Sequence, residues 1–548
     1  MTCFRFGGTE KGEGILPHDL KLYGYGFLPR IKTEEGSIED DGVYFLPMLK
    51  SDYLPHSAKW DFLKKLIESP KIMKICCNAQ LVLRDFYKIF GTYGVKPKNV
   101  FDPIIAAWML NSDLESHTFI ELIYHFTKKT QQATLADSNI HRFVEDMVDS
   151  LHLWDLLTEN IVKFGLMDAY KLEMKVLPIL SKMEVIGIGF DRDCLGKYKN
   201  TLQEKLEDIK SEATKLVGHP VLLTSPKQVA TVIYDEMKLS VSGKATKNGQ
   251  KSTAEEVLSQ IDHPFPKLVI EYRQISKYLS TWIENTSLSA YSKEISYLPL
   301  RKQFQQPAQK EYYEDQIRIR AHWKQVGTGT GRLSCKEPNL QNLPKTTMMI
   351  EIGEGKSVDL TVRNAFVSRE GYTLLGADYS QIEMRILGHM ANDKYLLEFF
   401  ANKGDIHSLI ASRTLGKPID QISPKERNHF KTIVYAVLYG MGPKTLSGIL
   451  KISIQESSNF ISKFLGKFPD VKKFIDYTVN KAKEASEVRT ILGRRRVIDF
   501  SDVHRGERQA LNSVIQGSAA DIIKLAMISV EKKIAKTPAL QNVRLLLQ

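Results

Sequence analysis

YTLLGADYSQIEMRILGH, residues 372–389, is the stretch that decides how this chain is interpreted. Its β-prone and mostly apolar start, Tyr372–Leu375, predicts a strand, and apolar residues from Ile382 onward recur at helical spacing. Asp378 lies between the two. A carboxylate there can cap the helix or, with the Tyr379 carbonyl, offer hard oxygen ligands to Mg²⁺. Taken alone the stretch favours the cap, whereas the segments around it favour the metal site.

A second stretch, ERNHFKTIVYAVLYGMG at residues 426–442, predicts a helix with two cations and two aromatic rings on one line. These residues are four apart and follow one stripe beside the apolar face: Arg427, Lys431, Tyr435 and Tyr439. A triphosphate on this stripe would meet the cations with its phosphates and the rings with its sugar and base. A solvated basic edge is the alternative, but it leaves two tyrosines in register unexplained. The stripe therefore favours a nucleotide site.

Three further sets of polar residues suit phosphate or base contacts. The Gly/Thr-rich loop at 322–344 carries guanidinium and amide groups that suit phosphates and minor-groove acceptors, although an ordinary polar loop would look similar: Arg332, Asn339, Gln341 and Asn342. A later helix carries residues four apart, so that one edge could follow a groove: Arg508, Asn512 and Gln516. His407, in GDIHS, could add a phosphate donor.

The composition is that of a folded protein with several domains. The 548 residues are 43% hydrophobic and 26% charged. At the usual size of a folded domain, this length indicates about two to four domains. The net charge of +12 favours a polyanionic partner, although only weakly. Five cysteines without CxxC or zinc spacing indicate a reducing compartment and no structural metal. No run of eighteen apolar residues is present, so no membrane span is expected.

Residues 1–175 alternate strand-like and helical segments, which predicts an α/β layer. Strands are predicted at Leu22–Leu28, Val43–Leu49 and Ile72–Asn78, and helices at Trp60–Glu68, Leu81–Phe90 and Ile104–Leu110. Three acids could serve chemistry here: Asp85, Asp102 and Asp168. Two-metal nuclease chemistry needs several carboxylates on one cation pair, and no DxE pair follows a strand. A structural domain is therefore favoured.

From about residue 170 the pattern becomes helical and predicts an elongated helical domain. Its helices are predicted at Leu195–Leu216, Ser225–Met237, Ala254–Ile261 and Pro266–Asn285. The stretch 286–316, which lacks periodicity, is predicted to be an exposed insertion, and Lys345–Lys356 is predicted to be a second insertion. Further strands are predicted at Val358–Val367 and Val543–Gln548.

Four segments, in this order and spacing, resemble the family A DNA polymerases, the group of bacterial DNA polymerase I. They are TGRLS with PNLQN (330–342), DYSQIEMRILGH (378–389), the helix carrying Arg427, Lys431, Tyr435, Tyr439 and Gly440, and ERQALNSVIQGSAAD (507–521). SPKQV, STAEEVL and EYRQISKYLSTW are similar to the thumb of that family. VYAVLYG, ILGRRR and the two insertions are most similar to the eukaryotic nu and theta polymerases, with nu the closer.

The resemblance implies an α+β multidomain protein with the right-hand polymerase fold of palm, fingers and thumb. A degenerate ribonuclease H-like 3′–5′ exonuclease-like α/β domain would precede it. The implied domains are the degenerate exonuclease-like domain at 1–175, a helical thumb with its insertion at 176–330, the first part of the palm at 331–395, the fingers at 396–500, and a second, incomplete part of the palm at 501–548.

The resemblance also implies roles at the reacting centre. Asp378 and Tyr379 would bind metal, with two Mg²⁺ ions expected, and Asp378 and Lys431 would be catalytic. Glu383 would close on the sugar 2′ position. The implied reaction is in-line attack of a primer 3′-OH on the dNTP α-phosphate, with pyrophosphate leaving.

Further roles implied by the resemblance concern the substrates, primer-template DNA and dNTPs. The triphosphate would be held by Arg427, Lys431 and His407, and the nascent base pair would be bordered by Tyr435 and Tyr439. Primer and template would be contacted by Arg332, Asn339, Gln341, Asn342, Arg508, Asn512 and Gln516.

Two departures from the family pattern bear on activity. Val82 in NAQLV stands where an active exonuclease carries Asp, and Phe164 stands where Tyr would precede Asp168, so no proofreading is expected. At the other end, Gln548 closes VRLLLQ before the family's His-Asp-Glu turn, which bears the second metal-binding carboxylate. We expect a fragment or incomplete gene product rather than a form that cannot assemble the two-metal site.

The expected function is a template-directed DNA polymerase of the nucleus, acting in repair or translesion synthesis. One alternative is a catalytically incomplete form that binds DNA and nucleotide. Another is a single-subunit RNA polymerase, which Glu383 disfavours because a carboxylate beneath the sugar crowds a 2′-OH.

Overall fold

The structure is a computed structural model. It describes residues 2–8, 21–32, 38–40, 42–48, 55–114, 118–129, 139–239, 252–283, 317–344, 348–352, 356–401 and 405–548. The insertion predicted at 286–316 lies outside these residues, as do parts of the one predicted at Lys345–Lys356.

The N-terminal region is an α/β layer, which confirms the alternation predicted from the sequence. Its elements are β1 (Thr2–Gly8), β2 (Lys21–Leu28), β3 (Arg30–Lys32), β4 (Ile38–Asp40), β5 (Tyr44–Pro47), α1 (His56–Glu68), β6 (Lys74–Ile75), α2 (Ala79–Phe90), β7 (Val100–Phe101), α3 (Pro103–Leu110), α4 (Phe119–Thr127), α5 (Asn139–Lys163) and α6 (Met167–Ile186). A mixed sheet has the order β5-β2-β1-β6-β7, with β1 antiparallel to β2 and parallel to β6. Trp60 of α1 packs edge-to-face on Phe86 of α2, with ring centroids 5.7 Å apart.

Helix α6 belongs to two hydrophobic cores. Leu177 and Val185 pack with the N-terminal layer, whereas Val176 and Leu180 pack with the helical region that follows. The boundary predicted at residue 175 falls inside this helix, so the two regions share one continuous element.

The helical region contains the predicted helices, but the helix predicted at Ala254–Ile261 is a single turn, and the one predicted at Pro266–Asn285 is described only as far as Ile283. Its elements are β8 (Ile188–Phe190), α7 (Arg192–Val217), α8 (Pro226–Ala230), α9 (Glu255–Leu258) and α10 (Pro264–Tyr278). Asp191 caps α7 by accepting hydrogen bonds from two backbone N–H groups of the first turn, and Ser225 caps α8 by accepting one. Helix α8 continues as a π-helix over Thr231–Glu236 and α10 does so over Leu279–Ile283.

Short strands follow the helical region: β9 (Arg318–Ile319), β10 (His322–Lys324), β11 (Ser334–Lys336), β12 (Met348–Ile352), β13 (Lys356–Leu360) and β14 (Phe366–Val367). A three-stranded sheet has the order β14-β8-β9, and β10-β11 and β12-β13 are antiparallel pairs. The strand predicted at Val358–Val367 is interrupted, because Val362–Ala365 form a 3₁₀ turn between β13 and β14.

The last part of the chain is mainly helical. Its elements are α11 (Ile382–Met390), α12 (Lys394–Ala401), α13 (Ile406–Leu415), α14 (Pro424–Leu438), α15 (Pro443–Leu450), α16 (Ile454–Lys467), α17 (Pro469–Ala485), β15 (Glu487–Arg489), β16 (Arg495–Val497) and α18 (Val503–Lys536). Of the described helices, α18 has the length and composition needed to cross a membrane, but 61% of its most apolar window is buried inside the protein. That burial is typical of a core helix.

Two predicted strands are wrong. Residues 372–379 form no strand in the structure, and Leu375 is 93% exposed. Residues 543–548 likewise form no ladder. A strand is stable only when neighbouring strands satisfy its backbone groups, and neither segment is hydrogen-bonded into a sheet with the residues that the structure describes. An apolar, β-prone sequence is therefore not sufficient here.

Candidate nucleotide and nucleic-acid site

Glu383 lies at the centre of the site, in the first turn of α11. Its side chain is buried, and its carboxylate accepts hydrogen bonds from Arg332 Nη2 and, at 2.8 Å, from Tyr439 Oη. Arg332 belongs to the Gly/Thr-rich loop and Tyr439 to the C-cap of α14, so three separate segments meet at one carboxylate. Burial and the bond to Glu383 raise the pKa of Tyr439 to about 12, which keeps its hydroxyl protonated at neutral pH.

Helix α14 carries the predicted stripe. A capping box between Ser423 and Glu426 fixes its start, and its apolar face packs into the core of the C-terminal helices. The Tyr435 and Tyr439 rings stack, with centroids 5.9 Å apart and planes 22° from parallel. Lys431, one turn before Tyr435, is exposed. The structure thus brings together the cations and rings that the spacing placed on one line.

An acid that the sequence reasoning did not single out, Asp405, pairs with Arg427. Arg427 Nε donates to Asp405 Oδ2 at 2.5 Å and Nη2 donates to Oδ1 at 3.0 Å. The same carboxylate caps α13 by accepting hydrogen bonds from the Ser408 N–H and hydroxyl. Burial alone would raise the pKa of Asp405, but the bonds from Arg427 and Ser408 lower it to about 2.

His407 lies in the first turn of α13, buried beside Tyr435 with ring centroids 6.1 Å apart. Its Nδ1 is buried and has no hydrogen-bond partner within the described part of the chain. Burial lowers the pKa of His407; Asp405 opposes this shift, whereas Arg427 and Lys431 add to it. The lowered pKa keeps the His407 imidazole predominantly uncharged at pH 7.

Asp378 and Tyr379 are exposed in the segment before α11. The interpretation of Asp378 as a helix cap is wrong, because the N-cap of α11 is Gln381, at φ 57°, and no side chain caps it. Across the described residues, no group of three or more His, Cys, Asp or Glu side chains is placed to hold a metal ion. Glu383 is held by Arg332 and Tyr439. An exposed carboxylate beside a main-chain carbonyl nevertheless fits one Mg²⁺ whose other ligands are phosphate oxygens and water.

The amide cluster lies on the same loop as Arg332. Asn339 Oδ1 accepts a hydrogen bond from Gln341 N–H at 3.1 Å, and Gln341 Nε2 donates to the Leu333 carbonyl at 3.3 Å. Asn339, Gln341 and Asn342 are all exposed. These bonds fix the shape of the loop and leave polar side chains on its surface.

Helix α18 places Arg508, Asn512 and Gln516 on successive turns, beside the end of α14. Gly440, at φ 61°, lies so close that an added Cβ would be 2.7 Å from Arg508 Cγ. Arg508 is exposed, Gln516 is half-buried, and Asn512 Oδ1 is buried with no partner among the described residues. The groove-following edge predicted for this helix thus adjoins the stripe of α14.

The sequence reasoning missed a buried cluster of charges. Arg494, from ILGRRR, pairs with Glu173 of α6 and with Asp521 of α18, and Lys524 Nζ donates to Glu173 at 2.5 Å. Gly331, at φ 83°, lies so close that an added Cβ would be 2.8 Å from Arg494 Nε. The only signals in the sequence were the repeated glycines before Arg332 and the run of arginines.

The three acids of the N-terminal layer lie in different environments. Asp102 is buried, caps α3, and accepts hydrogen bonds from the Ala79 and Ile104 N–H groups at 2.8 and 2.9 Å. Burial raises its pKa to about 6. Asp85 accepts from Tyr25 Oη at 3.3 Å, whereas the Asp168 side chain is 97% exposed. These different environments favour structural roles for the three acids.

Comparison with known proteins adds a family. The family model described as DNA polymerase family A matches residues 192–548. DNA polymerase I of Rhizobium leguminosarum is 30% identical over 528 residues, covering 91% of this chain and 48% of that protein. DNA polymerase I of Treponema pallidum is 32% identical over 589 residues, covering 98% and 55%. The chain therefore spans about half the length of the curated relatives it matches.

A solved structure is similar over the whole chain. It is the POL domain of Pol1 from M. smegmatis in complex with DNA primer-template and dNTP. The TM-score is 0.76 at 27% sequence identity, and the match covers 100% of this chain and 87% of that one.

Proposed function

Because the chain belongs to the family A DNA polymerases, we propose that it adds deoxynucleotides to a primer 3′-OH as directed by a template. The observation that carries the proposal is Glu383, held between Arg332 and Tyr439 beside the stacked rings of α14. The solved relative that binds primer-template and dNTP supports the same ligands for this chain.

In this proposal the triphosphate lies along α14. Arg427 and Lys431 meet its phosphates, and the neutral His407 supplies a further hydrogen-bond donor from the helix alongside. Charge-assisted bonds of this kind are short and about twice as strong as neutral ones. The stacked Tyr435 and Tyr439 rings face the sugar and the nascent base pair.

Glu383 selects the sugar. Its carboxylate is buried and bonded on two sides, so it cannot move aside for an extra hydroxyl. A ribose 2′-OH would collide with it or leave it with a poorly paired charge, either of which is costly in a dry site.

The primer 3′-OH loses its proton to solvent and its oxygen forms a bond to the α-phosphorus, while the bond from that phosphorus to the bridging oxygen breaks and pyrophosphate leaves. Asp378, with the Tyr379 carbonyl, would hold Mg²⁺, which when bound neutralises charge at the triphosphate. Arg332, Arg508, Asn512 and Gln516, with the amides of Asn339, Gln341 and Asn342, would position primer and template along the loop and α18.

The test pairs binding with extension. Fluorescence anisotropy on labelled primer-template, with and without the complementary dNTP, should show salt-sensitive binding that the matched dNTP tightens. Primer extension with Mg²⁺ is measured on the same preparation. Lys431→Ala should lose the dNTP effect, whereas Lys425→Ala, an equal charge change on the same helix but off the stripe, should keep it. Equal binding with matched and mismatched dNTP would contradict the proposal.

The finer assignment rests on the resemblance to the nu and theta polymerases. It comprises a role in repair or translesion synthesis, residence in the nucleus, and the palm, fingers and thumb boundaries given above. The absence of proofreading is supported by Val82, which is buried in the core, and by the exposed side chain of Asp168, in contrast to the buried Asp102. If proofreading is absent, a mismatched, labelled primer should persist undegraded without dNTPs. If the protein resides in the nucleus, its fusion to a fluorescent protein should collect there.

A further inference from the structure

Asp405 links two elements of the proposed triphosphate site. Its carboxylate caps α13, the helix that carries His407, and makes a two-point pair with Arg427 of α14. One side chain therefore sets the distance between two groups that approach the phosphates from different helices.

The Asp405 carboxylate pairs with one edge of the Arg427 guanidinium. Asp405 uses Nε and Nη2 of the guanidinium, so within the described part of the chain Nη1 keeps its two donors for another acceptor. A guanidinium fixed at one edge by a carboxylate has lost much of its rotational freedom before an anion arrives. The ordering cost of binding falls accordingly.

We infer that Asp405 is a positioning residue for the incoming triphosphate, acting by orienting Arg427. This inference rests on the proposed function and deepens it, because it names a residue outside the stripe on which phosphate binding depends. Asp405 does not touch the phosphates in this arrangement. Its negative charge is neutralised by Arg427 and by the N-terminus of α13, so it opposes the anion little.

The variant Asp405→Asn separates the two roles of the carboxylate. Asparagine is as good an N-cap as aspartate, so α13 stays capped, but the charged two-point pair with Arg427 is lost. Asp191→Asn is the matched control, because Asp191 caps α7 in the helical region by the same chemistry. Thermal melting of both variants should stay close to that of the parent.

The probe is inorganic tripolyphosphate, measured by isothermal titration calorimetry, alongside the KM for dNTP in primer extension. Asp405→Asn should weaken tripolyphosphate binding and raise KM by roughly tenfold, with kcat changed much less. In an Arg427→Ala background, Asp405→Asn should not weaken tripolyphosphate binding further, because Asp405 acts only by orienting Arg427.

The results separate the role of Asp405 from the proposed function on which it rests. Equal or tighter tripolyphosphate binding by Asp405→Asn, with Arg427→Ala weak, would overturn the role of Asp405 alone and make it a competitor of the phosphates. A full effect of Asp405→Asn in the Arg427→Ala background would also overturn it. Unchanged binding by Arg427→Ala would remove the phosphate site itself and with it the proposed function.

Discussion

Tyr439 Oη donates a 2.8 Å hydrogen bond to Glu383, which joins the end of α14 to the first turn of α11. Because the Tyr439 pKa is raised to about 12, this bond persists throughout the pH range in which the protein would be assayed. The Tyr439 ring and the Glu383 carboxylate are therefore held together.

Glu383→Ala should increase ribonucleotide incorporation at least roughly tenfold, because it removes the fixed carboxylate that meets a 2′-OH. Tyr439→Phe, which keeps the ring but releases the carboxylate on one side, should give a smaller increase. The measurement is the ratio of kcat/KM for dNTP and rNTP on one primer-template. An unchanged ratio for Glu383→Ala would remove Glu383 from sugar selection.

In a version of the chain extended through the His-Asp-Glu turn, Asp378→Asn should abolish Mg²⁺-dependent primer extension and leave primer-template affinity nearly unchanged, since phosphate contacts elsewhere dominate binding. Glu370→Gln, at another exposed acid shortly before α11, is the control and should extend at the parental rate. Extension by Asp378→Asn at the parental rate would show that this carboxylate is not a metal ligand.

Triphosphate binding should tighten as pH falls from 8 towards 5.5, and His407→Gln should flatten that dependence. The His407 pKa is lowered in the free protein, and a bound anion raises it, so binding takes up a proton. Asp405, with its pKa near 2, stays ionised throughout and contributes nothing to the slope. The check is a pH series of dissociation constants for both proteins. Parallel slopes would place His407 away from the phosphates.

Glu173→Gln should lower the free energy of unfolding by about 3–5 kcal/mol, because it leaves Arg494 and Lys524 buried without their shared counter-charge. Asp476→Ala, which removes an exposed pair with Lys472, should cost less than about 1 kcal/mol. Urea titrations of both variants provide the comparison. Similar losses of unfolding free energy in the two variants would mean that the buried cluster stabilises the fold no more than an exposed ion pair does.

Helix α14 was predictable because its signals are local. The capping box, the apolar face and the four-residue spacing all lie within one short segment. The strand predicted at Tyr372–Leu375 is absent because a strand depends on partners elsewhere in the chain, and a β-prone, apolar run does not reveal whether such partners pair with it.

The candidate site shows the same difference between local signals and contacts with distant parts of the chain. The stripe of α14 could be read from periodicity, and the family motifs pointed to Glu383 and Arg332. Asp405 escaped notice because its pairing with Arg427 crosses between two helices, and a cap residue looks the same with or without such a partner. Arg494 escaped because a run of arginines looks like a solvated surface until burial is known.

The shared helix α6 has a thermodynamic consequence. Glu173 on this helix neutralises Arg494 and Lys524, which belong to the C-terminal part of the chain, while Leu177 and Val185 complete the N-terminal core. If either region unfolds, the other loses a counter-charge or packing partners. The two regions should therefore lose structure in a single cooperative transition, and the slowest-exchanging amides of α6 and α18 should report the same opening free energy.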